Sequence, residues 1–125
     1  MSEPLVVPPL ERRANERTLD AYQMAAARTV NPALDDGHRF LDAAAGLSEE
    51  AGEVLAHARK HVLQGRPLDR EAVIDELGDA LWCLAIAAKT VGVTLSGVAM
   101  RNEEKLRERH PEGFHPAGAR MSSPQ

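Results

Sequence analysis

The sequence predicts an all-α fold, a four- to five-helix bundle whose helices are completed by self-association, and three features carry that prediction. Apolar residues recur at three- and four-residue intervals in every long segment, and nowhere do they alternate as a half-buried strand would. Aromatic residues are only 3% of a chain that is 43% apolar, so its core is aliphatic; alanine and leucine favour helices over a sandwich or barrel. Helix stops divide the chain at helix-length intervals: Asn31-Pro32, Gly65 with Pro67, Gly92, and Pro111-Glu112-Gly113. No repeat of the solenoid kind is present.

Residues 1–17 read as an extended arm. Pro4, Pro8 and Pro9 fix the backbone, and Glu11 to Arg17 is a mixed-charge run without an apolar stripe. Thr18 is placed to cap a first helix from Leu19 to about Thr29, with Tyr22, Ala26 and Val30 as its packing face. After the turn Asp35-Asp36-Gly37 a second helix runs from about His38 to Leu63, and Gly46 is expected to break or bend it. Leu47, Ala51, Val54, Leu55, Ala58 and Val62 form its apolar stripe. Asp69 caps a third helix that reaches about Val91, with Val73, Leu77, Ala80, Leu84 and Ala88 as core face. No charge occurs from Ala80 to Ala88, so this helix needs more partners than a small bundle offers. Self-association would supply them. Thr94 or Ser96 opens a fourth helix to about Arg109. The helical domain is thus drawn over 18–114, followed by a flexible tail over 115–125.

The length fits one domain. The formal net charge of −4 argues against nucleic acid or a membrane surface as partner, since either needs a basic face. One cysteine, Cys83, excludes an internal disulfide framework and a multi-cysteine zinc site; within the run Leu81 to Ile86 it reads as a small buried hydrophobe. No stretch has the apolar length of a membrane span, and the N-terminal residues lack the pattern of a secretory signal, so a cytoplasmic protein is expected.

The chemical content lies in two acidic clusters. Glu49-Glu50-Ala51-Gly52-Glu53 sits on the second helix and Asp75-Glu76-Leu77-Gly78-Asp79 on the third. Glu50/Glu53 and Glu76/Asp79 are each three residues apart, so each pair shares a helical face. The polar break from Gln64 to Asp69 lets the two helices fold back antiparallel, which could bring four acids into one small volume. Acids at helical spacing are commonly a solvated face. Here both pairs flank the apolar stripes, with His57 and Lys60 on the same side as the first pair and Glu49 turned further towards solvent. Desolvating four uncompensated carboxylates would cost several kcal/mol per ion. A hard divalent cation removes that cost, and ligation by carboxylates alone suits Mg²⁺ or Mn²⁺ rather than Zn²⁺ or copper. A di-iron site would require Glu-x-x-His on two helices, which is absent, and His57 reads as a partly buried polar residue rather than a ligand. Cations that could meet a phosphate chain beside the metal are Lys60 on the second helix and Lys105 and Arg109 on the fourth, where Asn102 shares their face.

Three ordered blocks then resemble a known family: Gly46 to Glu53, Glu76 to Trp82, and Asn102-x-x-Lys105-Leu106-x-x-Arg109-x-Pro111. They are similar to the MazG-like all-α nucleoside triphosphate pyrophosphohydrolases, whose signature is E-E-x-x-E, a spacer, then E-x-x-D. The resemblance covers roughly residues 18–114. It implies a helical fold assembled as a homodimer or homotetramer, Mg²⁺ on the acidic motif, and hydrolysis of a nucleoside triphosphate to monophosphate and pyrophosphate. By the same resemblance Glu50, Glu53, Glu76 and Asp79 would be metal ligands, and Glu49, with Glu50 beside it, would serve the attacking water or a further metal. Lys105 and Arg109 would hold phosphates and Asn102 the sugar or a phosphate. Trp82, one turn after Asp79, is either a base contact or a packing residue. Nucleotide-pool cleaning is the expected role. Two other readings use the same residues: a catalytically silent helical oligomer that binds nucleotide or a protein, and a related phosphoribosyl-nucleotide pyrophosphohydrolase.

Overall fold

Residues 4–10 and 16–113 are described by a computed structural model of the chain. Four helices follow one another: α1 (Leu19–Ala27), α2 (Asp36–Val62), α3 (Arg70–Thr90) and α4 (Leu95–Arg109). The fold is all-α, with no strand among the described residues. Each helix begins on a side-chain cap three residues before the amide it satisfies. Thr18 accepts from the Ala21 amide at 3.0 Å, Asp35 from His38 at 2.8 Å, Asp69 from Ala72 at 3.1 Å and Thr94 from Gly97 at 3.0 Å. These caps satisfy amides that have no partner within the helix. Gly65 after α2 and Gly92 after α3 adopt φ of +67° and +80°, a backbone that favours glycine and ends both helices.

The long helices α2 and α3 pair as an antiparallel hairpin, since Gly46 meets Cys83 while His57, further along α2, meets the earlier residue Glu76. α2 runs unbroken through Gly46, contrary to the bend expected there. A β-carbon on that residue would lie 2.8 Å from the Cys83 sulfur, so the glycine marks close helix approach instead of a kink. This contact also decides which face of α2 is covered. Ala43 is buried and Leu47, Glu50, Val54 and His57 are half-buried against α3, whereas Leu55 and Val62 remain 57% and 73% exposed. On α3, Leu77 and Leu84 are also exposed. The apolar stripes read from the sequence are therefore only partly the protomer's core.

That core is small and alanine-rich: Ala26, Ala43, Ala85, Ile86, Ala88 and Leu95, with Tyr22, Val30, Leu81 and Trp82 packed against it. α1 is held to the α3–α4 corner by one buried amide. Gln23 donates to the Ala85 and Val93 carbonyls at 3.1 and 3.2 Å and accepts from the Leu95 amide at 3.0 Å. Asp20 accepts from the Ser96 amide beside it at 3.0 Å. α4 turns 97° from the line of α3 and packs on α1 and α3 without touching α2. Residues 4–10 of the arm are exposed and lack regular structure; residues 1–3 and 11–15 of the arm and the whole predicted tail, 115–125, lie outside the described residues.

Candidate active site

The α2–α3 seam brings the acidic clusters together because the hairpin runs antiparallel in this register: one turn beyond the Gly46–Cys83 contact, Glu50 on α2 comes opposite Asp79 on α3. Glu50 and Glu76 are half-buried, while Glu49, Glu53 and Asp79 flank them at the exposed edge. Burial raises the Glu50 carboxyl above its ordinary value, and the negative charges of Asp79, Glu76, Glu53 and Glu49 raise it further, in that order. The other four acids of the motif thus all act on Glu50. Burial also lifts the Cys83 thiol, helped by Glu50, Asp42, Asp79 and Glu49, and the Tyr22 phenol, helped by Asp79 and Cys83. Cys83 and Tyr22 therefore lie against the same acidic volume.

Glu76 has a partner as well as repellers. Its Oε2 lies 2.9 Å from His57 Nε2, and the two side chains are only 20% and 18% exposed. The contact is close but not aligned: Oε2 is out of reach of solvent and accepts no hydrogen bond of ordinary geometry. A buried carboxylate oxygen with spare acceptor capacity, next to another half-buried acid, is an arrangement that a hard cation would stabilise. The donor set is all oxygen along the seam, which fits Mg²⁺ or Mn²⁺. Among the described residues no three such side chains are closed around a single point, so the acids surround the volume without being drawn to ligand distance.

The cations are placed differently. Lys60 is exposed on α2, two turns after Glu53. Asn102 and Lys105 line a groove of about 440 Å³ with Val93, Gly97, Val98 and Arg101, and Arg109 is exposed at the end of α4. α4 packs on α1 and α3 and not along α2, so this face is not part of the α2–α3 seam that carries the acids. A second groove, about 430 Å³, lies between α1 and the end of α3 and includes Met24, Arg28, Lys89 and Val93; it too holds no carboxylate. Trp82 is half-buried, packs against the core and donates its indole N–H to the Thr29 hydroxyl at 2.7 Å. Tyr22 was not among the sequence candidates, and no local spacing links it to Asp79. His57 carried a weak signal, being four residues after Glu53 on the same face.

Comparison with known proteins bears on the same region. The MazG nucleotide pyrophosphohydrolase domain matches residues 39–114. The chain is 35% identical over 107 aligned residues to the Gene 37 protein of Mycobacterium phage L5, covering 76% of this chain and 90% of that one. It is also 35% identical over 72 residues to the uncharacterized protein YvdC of Bacillus subtilis strain 168, covering 50% of this chain and 68% of that protein. No solved structure matches at a significant level.

Proposed function

The chain belongs to the MazG nucleotide pyrophosphohydrolase family, and on that footing we propose that it is a Mg²⁺-dependent nucleoside triphosphate pyrophosphohydrolase. It would add one water across the linkage between the α- and β-phosphates, breaking that P–O bond to release the nucleoside monophosphate and pyrophosphate, in nucleotide-pool cleaning. The observation that carries this reading is the Glu50 carboxyl, half-buried at a helix seam and raised by four neighbouring acids. A protein that keeps such a cluster without compensation loses stability to it. A nucleotide hydrolase uses it.

The residues divide the work. Glu50, Glu53, Glu76 and Asp79 would hold the divalent cation, with Mn²⁺ able to substitute. The cation supplies charge neutralisation on the phosphate oxygens, the main requirement of phosphoanhydride hydrolysis. Glu49, exposed beside Glu50, would orient the water or take its proton. Lys60, Asn102, Lys105 and Arg109 would receive phosphates and sugar. Since α4 leaves the seam, its side chains would reach the substrate away from the acids or from another copy of the chain.

Self-association belongs to the same proposal. Leu41, Leu55 and Val62 on α2, Leu77 and Leu84 on α3 and Val91 at its C-cap are all exposed, and they recur at multiples of seven residues, the spacing of helices that pack side by side. β-carbons built on Gly52 and Gly78 between them would meet nothing within 4 Å. A second copy would cover this face.

The test is pyrophosphate release from a panel of canonical and modified ribo- and deoxyribonucleoside triphosphates, with Mg²⁺, with Mn²⁺ and with chelator. Metal-dependent release that Glu53→Ala abolishes is the expected result. A folded protein that binds metal yet leaves every triphosphate intact would overturn the substrate assignment and redirect the assay to phosphoribosyl-nucleotides.

A further inference from the structure

We propose that His57 is a positioning residue for the acidic site, holding the Glu76 carboxylate across the α2–α3 seam. The inference rests on the metal reading above and adds a residue outside the acidic motif. His57 is on α2 and Glu76 on α3, and their Nε2 and Oε2 atoms are 2.9 Å apart with about four-fifths of each side chain covered.

Three features give the pair this role. Glu76 stands beside Glu50, whose carboxyl it helps to raise, so the two acids repel and Glu76 is driven to rotate out of the seam. Its Oε2 has no access to water and no aligned donor, and the His57 ring nitrogen 2.9 Å away is the group placed to oppose that rotation. The N–H of a neutral imidazole suffices; no change of protonation is required. A small rotation within the pair aligns the N–H, a change the 2.9 Å separation already permits. Partners of this kind fix the orientation of metal-binding carboxylates, and losing one typically costs about 10–100-fold in metal affinity. His57 is thus a support for one of the four acids and not itself a ligand.

The experiment measures Mn²⁺ binding to the full-length protein without nucleotide, by the electron paramagnetic resonance of free Mn²⁺, for wild type, His57→Leu, His57→Gln and Glu76→Ala. His57→Phe, which keeps a ring and removes both nitrogens, serves if the leucine variant does not fold. Melting of each metal-free variant is recorded alongside. The expected result is binding weakened about tenfold or more by leucine or phenylalanine, recovered to within about threefold by glutamine, whose amide supplies a donor of similar reach. In the pyrophosphate assay the leucine variant should need more Mg²⁺ for half-maximal rate while retaining most of kcat at saturating metal. Binding within about twofold of wild type in the leucine or phenylalanine variant, with Glu76→Ala impaired, would overturn the positioning role alone. Nitrogen coupling from the His57 ring to bound Mn²⁺ would also overturn it, by making the ring a ligand. No Mn²⁺ binding even by wild type would overturn the metal reading beneath it.

Discussion

Replacing Gly46 by alanine sets two opposing effects against each other, and the structure says which wins. In a helix interior the exchange is worth about 1 kcal/mol in favour of alanine. Here the added methyl would sit 2.8 Å from the Cys83 sulfur, well inside the ~3.5–4.0 Å of a comfortable contact. Cys83 is buried and short, so it cannot swing clear as the end of a long side chain would. Overpacking of this kind costs about 1–3 kcal/mol. The net expectation is a loss of up to about 2 kcal/mol, which for a chain of this size lowers Tm by up to roughly 10 °C. Gly46 lies one turn before Glu50, so parting the helices there also moves Glu50 from Asp79 and weakens Mn²⁺ binding. Thermal denaturation at one fixed protein concentration, on Gly46→Ala, Cys83→Ala and the double variant, measures the effect. The double variant should be more stable than the sum of the two single losses predicts, by about 1 kcal/mol or more, because removing the sulfur makes room for the methyl. A Gly46→Ala protein that melts higher than wild type, or a double variant that is merely additive, would refute the close approach at this seam.

Three further outcomes follow from other contacts. Gln23→Leu leaves the buried Leu95 amide and the part-buried Val93 carbonyl without this partner, while the Ala85 carbonyl keeps its place in the α3 ladder; at about 1–3 kcal/mol per stranded buried group, urea denaturation should show a loss of about 2 kcal/mol or more. Because Glu50 binds its proton more tightly in the folded chain than in the unfolded one, the metal-free protein loses stability as pH rises from the ordinary glutamate range through the raised value. Glu50→Gln should flatten that slope in a melting series across pH, and saturating Mn²⁺ should raise Tm at neutral pH in wild type but not in the variant. Leu77→Arg places a charge on the exposed apolar face of α3, and sedimentation velocity should show smaller species than wild type at equal concentration, with helix content unchanged.

Much of the architecture was legible because helix ends are local events. Thr18, Asp69 and Thr94 sit directly before the helices they cap, and Gly65 and Gly92 follow within three residues of those they end, so spacing located the boundaries to within about two residues; only Asp35, read as part of a turn, proved to be a cap itself. The pairing of the acidic clusters was legible for the same reason: two short motifs on adjacent helices joined by a tight break have few ways to meet. Which face of α2 meets α3 was not, since Leu47, Ala51 and Leu55 are equivalent to a hydrophobicity count and the choice is made by the Gly46–Cys83 contact, across 37 residues of sequence. The same limit hid Tyr22 beside Asp79 and left His57 undervalued. Nor could spacing show the 97° turn after α3, at a corner that Gln23 ties and no motif announces.

The tie made by Gln23 also bears on where this domain begins. The family match starts at residue 39, yet Asp20 and Gln23 supply bonds to the backbone between Ala85 and Ser96, 62–76 residues further on. A fragment cut at the start of the match would retain every acid of the motif and lose the helix that seats the α3–α4 corner. The start of the family match is therefore not the start of the packed helices. There is a temporal consequence too: during synthesis α1 is made before the end of α3 and the start of α4, on which it docks. At about 5–20 residues per second, that is a delay of several seconds before Gln23 can meet its three partners.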